Sequence, residues 1–180
     1  MRALAVAIAL VVSVGPALPG QRQSAPKPDA PFIPTPPAVV EAMVKAADVG
    51  PHDLVYDLGS GDGRIVIEAA KRGAHGVGFE LDQRLIDEAR LRARHAGVEH
   101  RVRFERQDLF AVDLRPATVV MLYLLPEMNA RLEPKLKQEL RPGARIVCHS
   151  FAIPGWPFDR RIEVGERSIF LWRIRDAGAK

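Results

Sequence analysis

Short apolar runs alternate with amphipathic stretches through most of this 180-residue chain, and this alternation most constrains its fold. It is the pattern of strand–helix–strand units in a parallel sheet. Two further apolar runs near the C-terminus are separated by three residues, too few for a parallel crossover, so they predict an antiparallel hairpin. We therefore predict an α/β fold with a doubly wound, mostly parallel, seven-stranded Rossmann-like sheet and a C-terminal antiparallel hairpin. The predicted strands are 54–58, 76–80, 102–105, 117–124, 144–153, 161–164 and 168–174.

Prolines mark the boundaries of two predicted helices. Thr35 precedes a Pro-Pro pair, which predicts a helix start with the threonine hydroxyl as its cap. A later helix spans 126–140 and contains Pro134. Because proline lacks an N–H and clashes with the preceding helical turn, we expect that helix to break at Pro134.

A glycine-rich turn follows the first predicted strand. Its glycines, Gly59, Gly61 and Gly63, occupy alternate positions, and Arg64 stands where the third glycine of a dinucleotide-binding turn would be. A phosphate loop would continue with Gly-Lys-Ser/Thr, and this chain does not. Gly59 and Gly61 allow a ligand to approach the backbone without a Cβ clash. The turn predicts a cofactor site other than a phosphate cradle, the alternative being a tight turn whose glycines serve packing alone.

Acidic residues around this turn indicate the charge of the ligand. Asp57 precedes the turn, Asp62 lies within it, and Glu80 ends the second predicted strand and should face it. Carboxylates would repel a phosphate at a helix N-terminus, but they suit a cationic, amine-bearing ligand with a ribose. S-adenosylmethionine is such a ligand. Glu80 is placed to accept from both ribose hydroxyls, and Asp108, after the third strand, from the adenine amino group.

Five motifs resemble class I, seven-strand S-adenosylmethionine-dependent methyltransferases; they are 32–37, 56–66, 78–82, 108–110 and 123–126. Two of these features, the Pro-Thr-Pro sequence at 34–36 and the glycine turn with the residues on either side, indicate a smaller group within that family. They are similar to bacterial relatives of the mitochondrial lysine methyltransferases that act on the adenine nucleotide translocase and on the ATP synthase c-subunit. The resemblance covers about residues 31–175 and implies N-methylation of a lysine in a protein substrate.

The resemblance also implies that the segment before the first helix covers the cofactor. Phe32 and Thr35 would close over its methionine end, although Thr35 is also expected as a plain helix cap. The complete set of predicted cofactor-binding residues is Phe32, Thr35, Asp57, Gly59, Ser60, Gly61, Glu80, Leu81, Asp108 and Leu109.

Three residues near the ends of the fourth and fifth strands are candidates for catalysis. Tyr123 is the candidate for lining the methyl-transfer channel, the alternative being a core tyrosine. Glu127 could orient the incoming ammonium or be an exposed acid at a helix start. His149 is a general-base hypothesis, against the default of a strand-end histidine with satisfied hydrogen bonds.

Absent motifs and composition argue against several other classes. The Asp/Asn-Pro-Pro-Tyr/Phe motif does not follow the fourth strand, and Cys148 follows valine instead of the proline of cytosine C5 enzymes. Aromatic residues make up only 6%, and half of the net charge of +4 lies in the first 37 residues, so no nucleic-acid partner is expected. A single cysteine and scattered histidines predict no metal site.

The first 34 residues differ in composition from the rest. An apolar run follows Arg2 and predicts a signal peptide or short membrane anchor over 1–20, with membrane association through 3–18. A Pro-rich linker is predicted over 21–34 and the methyltransferase domain over 35–180. Because S-adenosylmethionine is made inside cells, we expect the catalytic domain to face the cytosol. We expect a monomer and a protein substrate that could be a membrane protein. The rival hypotheses are a small-molecule methyltransferase on the same fold and a non-catalytic cofactor-binding module.

Overall fold

The structure, a computed structural model, describes residues 32–176. Seven strands form one sheet: β1 Leu54–Leu58, β2 His75–Glu80, β3 Val102–Arg106, β4 Val119–Leu122, β5 Arg145–His149, β6 Arg160–Val164 and β7 Arg167–Arg173. Their order across the sheet is β3-β2-β1-β4-β5-β7-β6. Strands β1 to β5 pair in parallel, whereas β7 is antiparallel to both β5 and β6. The predicted fold class is confirmed.

Helices cover both faces of the sheet. They are α1 Pro37–Ala46, α2 Arg64–Lys71, α3 Gln83–His95 and α4 Pro126–Glu139. The first three pack against one face and α4 against the other. A single 3-10 turn, Leu109–Ala111, lies in the connection from β3 to β4.

The central strands are buried on both sides, which explains their nearly unbroken apolar sequences. In β4, Val120 and Leu122 pack in the cluster with α4, whereas Val119 and Met121 pack in the cluster with α1. The strand order reverses between β1 and β4, since β2 lies on one side of β1 and β4 on the other. In open α/β sheets, ligands bind at the carboxyl ends of the strands beside such a reversal.

The predicted break at Pro134 is wrong, because α4 runs unbroken from Pro126 to Glu139. Pro134 and Ala130, whose carbonyl loses its helical partner, are both exposed or partly exposed. Water can therefore hydrogen-bond that carbonyl. Buried Leu132 and Leu136 hold the turns on either side of the proline against the sheet.

Two predicted strands are longer than the observed ones. The run 117–124 contains β4 as Val119–Leu122, and the run 144–153 contains β5 as Arg145–His149. At the end of β5, Ser150 has a φ of 62°, in the left-handed region, so the chain turns out of the sheet. Ile153 is nevertheless buried, so its apolar character reflects burial without strand pairing.

The chain enters the domain through an extended segment at 32–36, which we call the strap. The predicted signal or anchor at 1–20 and most of the predicted linker at 21–34 lie outside the described residues. Within residues 32–176, no helix combines the length and apolarity needed to cross a bilayer.

Candidate active site

A cavity of about 590 Å³ lies at the carboxyl ends of the parallel strands. Its walls are the glycine turn after β1, Glu80 at the end of β2, the segment 107–110 after β3, Tyr123 and Leu124 after β4, and the strap. The volume is in the range of small-molecule sites. Of the predicted cofactor-binding residues, only Gly61 is not part of the lining.

The glycine turn is held against β2 by its own backbone. The N–H groups of Gly59 and Ser60 both donate to the carbonyl of Phe79, at 2.9 and 3.0 Å. Gly61 has a φ of 54°, and a Cβ placed on it would lie 2.3 Å from the ring of Phe32. Glycine is therefore required at position 61 for close packing of the strap on the turn.

Glu80 is fixed by three backbone donors. One carboxylate oxygen accepts from the N–H of Gly61 at 3.0 Å, and the other from the N–H groups of Leu81 and Asp82 at 2.7 and 3.0 Å. A carboxylate has about four acceptor positions, so Glu80 retains room for about one ligand hydroxyl in this arrangement. Asp108 also lines the cavity, and its Oδ1 accepts from the N–H of Phe110 at 2.9 Å.

Asp57 is a buried carboxyl group that lines the cavity. It is 2% exposed, and its Oδ2 has no hydrogen-bond partner within residues 32–176. Burial, with the nearby charges of Glu80 and Asp62, raises the pKa of Asp57 to about 8. A cationic group in the cavity would supply the missing partner and favour the ionised form.

Asp62 has a different role from the one its sequence position indicates. Arg64 donates to its two carboxylate oxygens at 2.8 and 2.5 Å, and Arg92 lies 3.3 Å away. Burial acts to raise the pKa of Asp62, but the hydrogen bonds and the charge of Arg64 outweigh it and hold that pKa below its ordinary value. The charge of Asp62, counted above as facing the ligand, is therefore balanced by two arginines.

Thr35 ties the strap to the rest of the site. Its carbonyl accepts from Arg64 Nη1 at 2.8 Å, and its hydroxyl lies 3.3 Å from Nδ1 of His149. The prediction that Thr35 caps the first helix is wrong: Pro36 occupies the cap position, and α1 has no side-chain cap. The tertiary contact with His149 takes the hydroxyl that a local cap would use.

The three candidate catalytic residues occupy different environments. Tyr123 lines the cavity, and its ring centroid lies 3.9 Å from that of His149. His149 is fully buried behind this tyrosine and does not line the cavity. Burial, helped by the charge of Arg167, lowers the pKa of His149 to about 4, so its ring is neutral. Glu127 is exposed at the start of α4 and lies outside the cavity lining.

Several cavity residues were not predicted. They include Ile33, Arg84, Leu85, Gln107, Phe110 and Met128. Ile33 and Phe110 lie inside motifs that carried the resemblance, so their neighbours could have indicated them. Met128 lies in the first turn of α4, and nothing local in the sequence distinguishes it from a core methionine.

The arrangement fits S-adenosylmethionine on chemical grounds. Glu80, at the end of β2, and Asp108, after the neighbouring β3, line the cavity and offer acceptors, and Asp57 of β1 adds a carboxyl oxygen without a partner within residues 32–176. The glycine turn carries no lysine beside it that would favour a phosphate. Within the described part of the chain, no three metal-ligating side chains are grouped to hold an ion.

Two proteins with similar sequences are named as lysine N-methyltransferases. A protein of Saccharolobus islandicus named protein-lysine N-methyltransferase is 45% identical over 153 residues, covering 82% of this chain and 95% of that protein. A lysine N-methyltransferase of Xenopus laevis, named for the c-subunit of ATP synthase, is 35% identical over 144 residues, covering 80% of this chain and 63% of that protein.

Solved structures show the same fold with a ligand. A structure described as an RNA methyltransferase from Salinibacter ruber in complex with S-adenosyl-L-homocysteine has a TM-score of 0.79 and 46% identity, covering 82% of this chain and 97% of that one. A SAM-dependent methyltransferase from Geobacter sulfurreducens, also with S-adenosyl-L-homocysteine, has a TM-score of 0.57 and 29% identity, covering 63% and 48%. The ANTKMT methyltransferase domain matches residues 57–160, more than half of the sequence, and this chain belongs to that family.

Proposed function

We propose that this protein transfers a methyl group from S-adenosylmethionine to the side-chain amine of a lysine in a protein substrate. The observation that carries the proposal is the similarity to the Saccharolobus protein-lysine N-methyltransferase, which extends over 95% of that protein. The cavity supports the cofactor part of the proposal, because its acceptors match a ligand with hydroxyls, an amine and a positive charge.

The chain's own residues would bind and orient the cofactor. S-adenosylmethionine supplies an electrophilic methyl group on a sulfonium. Glu80 and Asp108 accept hydrogen bonds from its nucleoside, and Asp57 offers its carboxylate to a cationic group. Phe32 and Ile33 of the strap line the cavity and would shield the bound cofactor from water. Positioning of this kind supplies most of the rate in a simple displacement.

The acceptor lysine must lose its proton before it can attack. An amine has an ordinary pKa of about 10.4, and both desolvation and a nearby positive charge lower it. Tyr123, Leu124 and Met128 line the cavity and would provide the apolar approach. In this proposal Glu127, exposed at the start of α4, orients the ammonium before the proton leaves to solvent.

RNA is the alternative substrate, favoured by the description of the Salinibacter structure. Nucleic-acid binding depends on cations that neutralise backbone phosphates. The two arginines of the cavity, Arg64 and Arg84, each form a salt bridge with a neighbouring aspartate, at 2.5 and 2.6 Å. We therefore favour a protein substrate.

The proposal is tested by transfer of a labelled methyl group. The protein is incubated with methyl-labelled S-adenosylmethionine and a membrane-containing cell extract, which is then divided and digested with protease or ribonuclease. We expect label that only protease releases, and methyl-lysine in the acid hydrolysate. Label in RNA, or only in small metabolites, would contradict the lysine assignment. Glu80→Gln, which keeps the side-chain size but removes the charge, serves as the inactive control.

We also propose that residues 3–18 associate with a membrane and that the catalytic domain acts as a cytosol-facing monomer. The apolar composition of 3–18 and the intracellular source of the cofactor support this arrangement. Membrane fractionation of the full chain, compared with a variant carrying two aspartates in place of Val11 and Val12, provides the test. Equal distribution of both proteins would contradict it.

A further inference from the structure

His149 is buried and titratable, and the proposed reaction as described above does not use it. Its side chain is fully buried at the end of β5 and is separated from the cavity by Tyr123. Its position is fixed by the backbone on its C-terminal side. Ser150 turns the chain at a φ of 62°, and its N–H donates to the carbonyl of Ser168 at 2.8 Å.

The histidine ring contacts two parts of the cavity wall at once. Nδ1 lies 3.3 Å from the hydroxyl of Thr35 in the strap. The ring also packs against that of Tyr123, with ring centroids 3.9 Å apart and planes inclined by 36°. One buried side chain therefore connects the cover of the proposed cofactor site with the residue at the approach of the acceptor.

Thr35 is also held through its backbone carbonyl. Arg64, at the start of α2, donates to its carbonyl at 2.8 Å and is paired with Asp62 in the glycine turn. The strap is thus bound both to the glycine turn and to β5. Phe32 lies directly on Gly61, where even a methyl group would collide with its ring. These contacts hold the strap closed over the cavity.

A neutral ring fits this environment. A neutral imidazole has one donor nitrogen and one acceptor nitrogen, and the Thr35 hydroxyl can satisfy either. Nε2 has no hydrogen-bond partner within residues 32–176 and is not exposed, so no solvent or substrate group reaches it in this arrangement. Both points argue against proton exchange with a bound amine and favour a fixed structural contact.

We propose that His149 is a positioning residue, which holds the strap through Thr35 and orients Tyr123 through the contact between their rings. The inference rests on the proposed methyltransferase function and assigns no contact between His149 and the substrate. In this proposal, retention of the cofactor and alignment of the acceptor lysine both depend on the buried side chain of His149.

The test compares two disruptive variants with two conservative ones. Thr35→Val removes the hydroxyl while keeping its shape, and His149→Phe keeps the ring but removes Nδ1. Thr35→Ser and His149→Asn each retain a polar atom near the original position. The first measurement is the dissociation rate of S-adenosylhomocysteine, followed by stopped-flow displacement. The second is the single-turnover transfer of label into the protein fraction between pH 6 and 9.

We expect Thr35→Val and His149→Phe each to accelerate dissociation by about three- to tenfold, the effect of one lost hydrogen bond. The double variant should be no faster than the faster single variant, because both remove the same interaction. The conservative variants should remain within about twofold of the wild type. The pH at which transfer is half-maximal should be the same in all of the variants.

Three results would overturn the inference. An unchanged dissociation rate in Thr35→Val would show that the contact between Thr35 and His149 does not retain the cofactor. This result decides the question even if His149→Phe does not fold. Additive effects in the double variant would show that the two residues act separately. A loss of transfer of more than about a hundredfold in His149→Phe, with Thr35→Val normal and the pH profile altered, would make His149 a general base. If the wild-type protein fails to bind S-adenosylhomocysteine, the proposed function fails instead.

Discussion

The buried carboxyl group of Asp57 leads to a quantitative prediction about proton release on ligand binding. Its carboxyl group is buried, its Oδ2 lacks a partner within the described residues, and its pKa is raised to about 8. In the ligand-free protein at pH 7 it should therefore be about 90% protonated. A bound cation beside it favours the ionised form, so binding of S-adenosylmethionine should release a proton.

The magnitude follows from the raised pKa. If the bound cation brings the pKa of Asp57 below about 5, binding at pH 7 releases about 0.9 protons. The affinity should then rise with pH, by about ninefold between pH 6 and 7, or about 1.3 kcal/mol. The gain ends as the pH passes the ligand-free pKa of about 8, because the carboxyl group is then already ionised.

Titration calorimetry in two buffers with different enthalpies of ionisation measures this proton release directly. The Asp57→Asn variant, which is close in size to the protonated acid, is the matched control. It also corrects for any protons that the amino group of the ligand itself exchanges with the buffer on binding. We expect the variant to bind weakly, with little proton release and little dependence on pH from 6 to 7.

The same group has the opposite effect on folding. Its pKa in the folded state is higher than the value of about 3.9 in an unfolded chain, so stability without ligand decreases as the pH rises from about 4 to about 8. Asp57→Asn should therefore raise the free energy of unfolding near pH 8. Proton release below about 0.2 at pH 7, or an affinity independent of pH between 6 and 7, would refute this account of the site.

Three further predictions concern single residues. Gly61→Ala should displace Phe32 and weaken binding of S-adenosylhomocysteine at least tenfold. Gly97 has a similar left-handed backbone but open space around it, so the control variant Gly97→Ala should leave binding unchanged. Calorimetry on both variants provides the check. Pro134→Ala should raise the free energy of unfolding by about 1–3 kcal/mol in denaturant titrations, because α4 is continuous and the freed carbonyl regains its partner, and a decrease would contradict this. Burial raises the pKa of the Cys148 thiol, so iodoacetamide should label it only after unfolding, and rapid labelling of the native protein would count against the packing described.

Residues with a local signal were predicted well. The bounds of β1 were predicted as observed, since an apolar run buried on both faces ends at a glycine turn. Glu80 and Asp108 were placed at the cavity because Glu80 ends one parallel strand and Asp108 follows the next. The ends of the strands were less predictable. After β5, Ser150 turns the chain out of the sheet, although Ile153 is still buried. Apolar character indicates burial but does not show which residues pair in the sheet.

Contacts between distant segments could not be predicted from one sequence. Thr35 and His149 are 114 positions apart, and only the assembled sheet brings the strap to the end of β5. Likewise, Asp62 and Arg92 belong to different elements, so the balanced charge of that aspartate is a property of the fold. The helix continues through Pro134 on an exposed part of α4, since Ala130 and Pro134 are both exposed, and this depends on how α4 is rotated against the sheet.

The antiparallel direction of β7 has a practical consequence for experiments. Arg173, at its end, pairs with Arg145 at the beginning of β5, on the edge of the sheet opposite the cavity. The strap, in contrast, enters directly across the cavity. An affinity tag, fluorophore or surface tether attached after β7 therefore leaves the site accessible, whereas one joined close to Phe32 would lie at its opening.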